Sequence, residues 1–369
     1  MYKNTAFKIK MRKRGEEEME GSLILANGEI FTGKWHGRQK DHIGELIFFT
    51  GMGRFQEFIT DPANQGKIVI ATFPGILNSD LDHSKSESDK IQIGGLISQQ
   101  DVSLPMNSNG KSVLDIFSAQ NIPILSGMDT RALIKRVKTD GEMPAVISSG
   151  HKANRLDGHT EAVVAMSGTE YVVQNGNKHI VIINFGYKKS LIQAVSKFGN
   201  KVTVVSNHID MNLMNSLQPD GLIFSGGAGD PMQWHKFFPQ YKQLAMKYPT
   251  IGLGLGHQIL ALSFGATVEK MPTGHRNFKE AVIHTESKKV FMSSQNHGYA
   301  VNEKDLIKRG LRVSFKNVHD GTVEGLEHEQ YPLATYQFHP EQINNPLNEL
   351  IFNNFFQTVN ESKGARIYA

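Results

Sequence analysis

From Ser22 onward apolar residues alternate with polar ones, and Leu23 and Leu25 precede Asn27-Gly28 and then Ile30 and Phe31. That spacing predicts a β-hairpin closed by a type I′ turn, because Asn-Gly tolerates the positive φ such turns need. Short apolar runs at Leu46–Phe49 and Ile68–Thr72 read as further strands, and Thr130 to Val137 as a helix. Leu133, Ile134 and Val137 share one face of that helix, and Asp129 stands where a cap is needed. The first region is therefore mixed α and β, and rich in β. Between about Lys152 and Lys178 the chain turns polar and irregular (Gly158, Ser167, Gly168, Asn175, Gly176, Asn177). Beyond it the rhythm changes. Ile180–Phe185, Val202–Val205, Gly221–Phe224 and Ile251–Leu253 are compact apolar strands. Helical patterns separate them: Leu191, Val195 and Phe198, then Phe237–Met246, then Ile259, Leu260, Leu262 and Phe264. Strand alternating with helix predicts a doubly wound α/β sheet. The predicted organisation is a tail over 1–21, a first domain over 22–155, a linker over 156–177 and a second domain over 178–369.

The 369 residues suit two domains or three. Apolar residues at 39% together with 35 glycines fall in the range of ordinary globular domains. A net charge of +4 on this length is too diffuse to argue for a nucleic-acid surface. There is no cysteine, which excludes disulfides, Cys-ligated zinc, iron–sulfur clusters and any thiol nucleophile. The 15 histidines are scattered without metal-ligand spacing, so no metal is expected. No apolar run approaches the roughly 18 residues needed to cross a bilayer, so a soluble, cytoplasmic protein is expected. Residues 1–20 carry a basic and then an acidic cluster without an apolar core, and read as a solvated tail with Met19 as an alternative start.

In an open α/β sheet ligands gather beyond the carboxyl ends of the strands, which singles out three loops. Ser225-Gly226-Gly227-Ala228-Gly229-Asp230-Pro231 lets backbone N–H groups approach a ligand oxygen, although taken alone it is equally a tight turn. It lacks the Gly-Lys-Ser/Thr ending of a P-loop. Gly252-Leu253-Gly254-Leu255-Gly256-His257-Gln258 is a strand-to-helix turn that resembles a nucleophile elbow. Its third glycine comes one residue early for a dinucleotide fingerprint. In Tyr336-Gln337-Phe338-His339-Pro340-Glu341 a histidine and a carboxylate two residues apart suit a base and its orienting partner.

Together with Ser294-Gln295-Asn296-His297-Gly298, these loops resemble those of class I glutamine amidotransferases across the whole second half of the chain. In the first half, Gly44-Glu45, Thr50-Gly51-Met52, Gln56-Glu57, Thr60-Asp61-Pro62 and Gly127-Met128-Asp129-Thr130-Arg131-Ala132-Leu133 resemble the amino-terminal domain of carbamoyl phosphate synthetase small subunits. The resemblance implies a base at His339, an orienter at Glu341, and oxyanion donors at the N–H groups of Gly227 and Leu255. It implies glutamine contacts at Gly51, Gly227, Gly229, Leu255, Gln258, Asn296, Gly298 and Tyr299. It also implies a large-subunit partner that carries the ATP and magnesium chemistry, for arginine or pyrimidine biosynthesis, with no cofactor in this chain.

The sequence departs from the family's pattern at the decisive position: Gly254 stands where the family has its attacking cysteine. Ser263 lies two helical turns further on and Ser225 belongs to the preceding loop, so neither substitutes for it. Losing a nucleophile typically leaves only the assistance of the oxyanion hole, a loss of roughly a million-fold in a serine enzyme. Glycine relieves a backbone strain of about 1–3 kcal/mol at an elbow, so the turn itself is expected to fold. Gly226 and Ala228 replace the usual Asn and Pro, and Arg276-Asn277-Phe278-Lys279 lacks an expected glycine-containing turn. The expected protein is a small subunit supporting ammonia-dependent carbamoyl phosphate synthesis with its own glutaminase step lost or feeble. The alternatives are a non-catalytic glutamine-binding regulator and an engineered Cys→Gly variant of an active enzyme.

Overall fold

The computed structural model describes residues 19–51, 53–73, 83–100, 112–150, 169–342 and 346–366. The first unit contains strands β1 (Glu20–Leu25), β2 (Ile30–His36), β3 (His42–Phe49), β4 (Ile68–Ala71), β5 (Gly95–Ser98), β6 (Ile124–Ser126) and β7 (Met143–Ser148). Its helices are α1 (Phe55–Ile59), α2 (Val113–Ala119) and α3 (Thr130–Asp140). The strands close into a barrel in the order β1-β2-β6-β5-β4-β3-β7. Every strand contributes to one apolar cluster that includes Leu23, Trp35, Leu46, Ile70, Ile97, Leu125 and Ile147, which is the barrel interior. The alternate residues Ile47, Phe49, Val69 and Leu96 face outward and are covered by Phe58 of α1 and Phe117 of α2, as the two-residue period of a strand requires. Asp129 caps α3, accepting from the N–H of Ala132 at 3.0 Å.

The first hairpin forms, but not with the expected turn. Leu25 donates to Glu29 O and Gly28 donates to Leu25 O, each at 2.9 Å. Gly28 has φ 87°, whereas Asn27 is not among the residues with positive φ. A three-residue loop with a glycine bulge results, because only one of the two residues adopts the left-handed conformation that type I′ requires twice.

The second unit contains β8 (Glu170–Val173), β9 (His179–Asn184), α4 (Lys189–Ser196), β10 (Lys201–Ser206), α5 (Met211–Leu217), β11 (Gly221–Phe224), α6 (Phe238–Lys247), β12 (Thr250–Leu253) and α7 (Leu255–Ser263). Strands β13 (Val268–His284), β14 (Val290–Val301), β15 (Leu311–Asn317), β16 (Val323–His328) and β17 (Leu333–Tyr336) follow, and α8 (Pro346–Arg366) ends it. The sheet order is β14-β13-β15-β16-β17-β12-β11-β9-β10-β8. Its centre, β17-β12-β11-β9-β10, is parallel. Both faces are covered: Val181 and Ile183 pack with Met214, Leu244 and Ile259, while Ile180 and Ile182 pack with Leu191 and Phe352 on the other side. Burial on both faces explains why β9 reads as a continuous apolar run.

The expected α/β architecture is present, with differences at its edges. β8 lies inside the segment read as linker, pairing antiparallel with β10, and β1 begins within the stretch read as tail. The cues at Gly158, Ser167 and Gly168 and the charged clusters before Met19 lie outside the described residues. Antiparallel strands extend both edges of the parallel core.

Candidate functional site

The elbow is built by alternating glycines with two different jobs. Gly254, between β12 and α7, has φ 53° and ψ −113°, a region that residues with a Cβ enter only at a cost. Gly252 and Gly256 are there for close packing. A Cβ on Gly252 would lie 2.7 Å from Leu260 Cδ1, and one on Gly256 would lie 2.2 Å from Phe224 O. The turn aims residue 254 at His339. A Cβ built on Gly254 would stand 2.9 Å from Cε1 and 3.2 Å from Nε2 of His339.

His339 is held from behind. Its backbone N–H donates to Ser294 O at 2.9 Å, and its Nδ1 lies 3.0 Å from Glu341 Oε1. The carboxylate assigns the proton to Nδ1, leaving the Nε2 lone pair turned toward Gly254. Burial by itself would raise the Glu341 pKa, but His339 and the Lys188 ammonium hold it below the usual range. Lys188 is buried at 2% exposure and pairs with Asp61 of the first unit at 2.9 Å. Asp61 is likewise held low, against its burial, by Lys188 and His339.

The loop after β11 approaches the elbow from the other side. A Cβ on Gly227 would fall 2.0 Å from Phe185 O, so only glycine fits there. Asp230 is occupied in capping the next 3₁₀ turn, accepting from Met232 N at 2.8 Å. Leu255 opens α7, where a helix leaves its first N–H groups without intrahelical partners. Its N–H and that of Gly227 have no protein acceptor among the described residues.

Of the expected site residues, Gly227, Gly229, Gly254, Leu255, Gln258, Asn296, Gly298, Tyr299 and His339 line one cavity. Glu341 stands behind His339, and Gly51 is not among the lining residues. Two expected glutamine contacts are already engaged within the protein. Gln258 Nε2 donates to Tyr299 O at 3.2 Å and to Gln337 Oε1 at 2.9 Å. Asn296 Nδ2 donates to Asp61 Oδ2 at 3.1 Å and Asn64 Oδ1 at 3.0 Å, and its Oδ1 accepts from Arg276. His257 is a core histidine whose Nδ1 meets Thr335 Oγ1 at 2.8 Å. Burial pushes its pKa down to about 3.

Glu45, Ala63 and Lys67 of the barrel also line the cavity. Nothing in their local sequence marks them, since their partners belong to another domain. Burial alone would raise the Glu45 pKa, but Lys67, Arg276 and Lys270 bring it down to about 2. Arg276 also forms a buried fork on Glu142, with Nε to Oε1 at 2.9 Å and Nη2 to Oε2 at 2.6 Å. The segment lacking the expected glycine turn is therefore an interdomain clamp: Phe278 meets Phe49 edge to face, and Arg54 lies over Phe278 at 4.4 Å. A larger groove of about 220 Å³ is lined by Thr250, Leu333 and Phe355. It opens at the amino ends of β12 and β17, the wrong end of a parallel sheet for ligand chemistry.

Among the described residues no helix is long and apolar enough to cross a membrane. Residues 23–147 match the family described as carbamoyl-phosphate synthase small chain, CPSase domain. Residues 181–359 match glutamine amidotransferase class-I. The chain is 38% identical to the carbamoyl phosphate synthase arginine-specific small chain of Halalkalibacterium halodurans, over 95% of this chain and 100% of the relative. It is 36% identical to the protein of the same name from Bacillus subtilis, over 92% and 97%. It is 31% identical to the carbamoyl phosphate synthase small chain of Clostridium acetobutylicum, over 88% and 95%. A barrel joined to an amidotransferase-type sheet, matched along nearly its full length, places the chain in the family of carbamoyl phosphate synthase small subunits.

Proposed function

We propose that this small subunit has lost its glutaminase step and serves as the docking half of a two-chain synthetase that takes up free ammonia. The observation that carries the reading is Gly254 at the elbow of a chain without a single cysteine. His339 Nε2 and the N–H groups of Gly227 and Leu255 form the base and the oxyanion donors, but nothing between them can form a thioester. The nearby hydroxyls do not replace it. Ser225 Oγ accepts from Phe185 N and donates to Gly226 O, both at 2.9 Å. Ser263 Oγ donates to Ile259 O at 2.7 Å. What remains is His339 acting on water directly, the weak residual route of an enzyme stripped of its nucleophile. ATP and magnesium belong to the large subunit in this reading. The arginine-specific names of the Halalkalibacterium and Bacillus relatives favour supply to arginine synthesis.

The test is carbamoyl phosphate synthesis by the purified two-chain complex, with bicarbonate and ATP and either ammonium or glutamine as nitrogen donor. Turnover is expected with ammonium, and glutamine is expected to support less than about a thousandth of it. Glutamine-driven synthesis at a rate comparable to the ammonium rate rejects the proposal. Retention of Gln258, Asn296 and Tyr299 around the cavity supports a second reading, a subunit that binds glutamine as a regulator. Titration calorimetry with glutamine decides it: no heat removes the regulator, and saturable heat without hydrolysis supports it.

A further inference from the structure

Three residues far apart in sequence meet at the outer part of the second sheet: His275 on β13, His297 on β14 and Glu324 on β16. One ligand atom from each lies within 4.8 Å of the others. The hydrogen bonds around this meeting point leave it ringed by ligand atoms. His297 Nδ1 is 2.8 Å from Tyr299 O, so that nitrogen carries a proton. Its Nε2 faces Gln295 Oε1 at 3.2 Å and Glu324 Oε1 at 3.6 Å. The Gln295 amide is fixed in orientation, because its Nε2 donates to Ser293 Oγ at 3.1 Å and to Glu324 Oε2 at 3.0 Å. Ser293 Oγ spends its own proton on Glu280 O. Among the described residues, His297 Nε2 therefore looks at two acceptors and at no donor.

His275 repeats the pattern. Its Nε2 lies 3.0 Å from Asp320 Oδ2 and donates to that carboxylate. Its Nδ1 lies 3.5 Å from Glu324 Oε1 and 3.4 Å from Asn317 Nδ2. Two imidazole nitrogens and a fully buried carboxylate oxygen converge. A single proton cannot bridge all three. Separations of 3.5 and 3.6 Å are long for N–H···O bonds. They match the edges of a tetrahedron with metal–ligand bonds of about 2.0–2.2 Å. The outer nitrogen of each imidazole is held by a carboxylate or a backbone carbonyl, the arrangement that orients metal-binding histidines.

We propose that His275 Nδ1, His297 Nε2 and Glu324 Oε1 bind a divalent ion of the zinc class, with Gln295 Oε1 as the fourth ligand. The donor set of two imidazoles and carboxyl or amide oxygen suits zinc and its neighbours rather than magnesium or calcium. The ion would rivet β13, β14 and β16 together directly behind Asn296 and Tyr299. The missing cysteine plays no part in it. The sequence alone gave no metal spacing because each ligand comes from a different strand.

The experiment uses the full chain, stripped of metal with a chelator and titrated with zinc chloride by calorimetry and with cobalt(II) by visible absorption. Saturable one-to-one zinc binding and the d–d spectrum of a tetrahedral cobalt site are expected. Asp320 is partly exposed, and Asp320→Asn should fold normally while weakening zinc binding about 10–100-fold through the released His275 ring. Glu324→Gln should abolish binding. No saturable zinc binding by the unaltered chain overturns the proposal, and so does binding left unchanged in both variants.

Discussion

Replacing Gly254 with alanine should destabilise the second unit, even though alanine usually stabilises when it replaces glycine. The residue sits at φ 53° and ψ −113°, where a Cβ costs about 1–3 kcal/mol. The new methyl would stand 2.9 Å from His339 Cε1. That imidazole is held by Glu341, and its backbone by Ser294 O, so it gives way only by loosening those bonds. The reduced entropy of the unfolded chain returns about 0.4–1 kcal/mol. The net loss is about 2 kcal/mol, a fall of roughly 1 M in the urea midpoint. Trp234, buried at 2% exposure and edge to face on Phe185, reports this unit by fluorescence once Trp35 is changed to Phe. Gly199→Ala is the control: φ is 67° and no atom of the described residues lies within 4 Å of its Cβ. It should therefore pay only the left-handed cost of about 1–2 kcal/mol. If Gly254→Ala unfolds at or above the midpoint of the unaltered protein, the strain argument for the elbow is wrong. Gly254→Cys meets the same strain and the same imidazole.

Gly254→Cys should nevertheless raise ammonia release from glutamine above the background of the unaltered subunit, measured with a coupled glutamate assay; an inert variant would show that Gly226, Ala228 or the engaged Asn296 also block the reaction. Arg276→Met strands Glu142 at the domain boundary, while Glu45 keeps Lys67 and Lys270, and breaking a buried pair costs about 3–5 kcal/mol. Trp35 and Trp234 should then report separate unfolding transitions where the unaltered chain shows one. Glu45 has its pKa lowered from 4.5 to about 2 in the folded state, so its contribution to stability is complete above pH 4.5 and drains away as the pH falls toward 2. Glu45→Gln should be less stable at neutral pH and lose less of its stability across that acid window. Asp129→Ala removes the cap of α3 and should cost about 1 kcal/mol, read as a lower melting temperature with unchanged activity of the complex.

The local signals were legible. Asp129 before a helical apolar face predicted the cap and start of α3, and doubly buried runs such as Ile180–Ile183 predicted the parallel strands, because period and capping depend on neighbours a few residues away. The glycine spacing at 252, 254 and 256 marked the strand-to-helix turn, although which glycine served conformation and which served packing depended on Phe224 O and Leu260, brought there by the sheet. The sequence by itself also determined that this chain carries no thiol, since composition admits no exception. Closure of the barrel and the pairing of β8 with β10 depended on strands that find each other across the chain, for which spacing holds no record. The same is true of the Lys188–Asp61 and Arg276–Glu142 pairs and of His275, His297 and Glu324. Each of these groups is an ordinary polar residue in its own segment, and only burial against a distant partner turns it into a clamp, an orienting charge or a ligand.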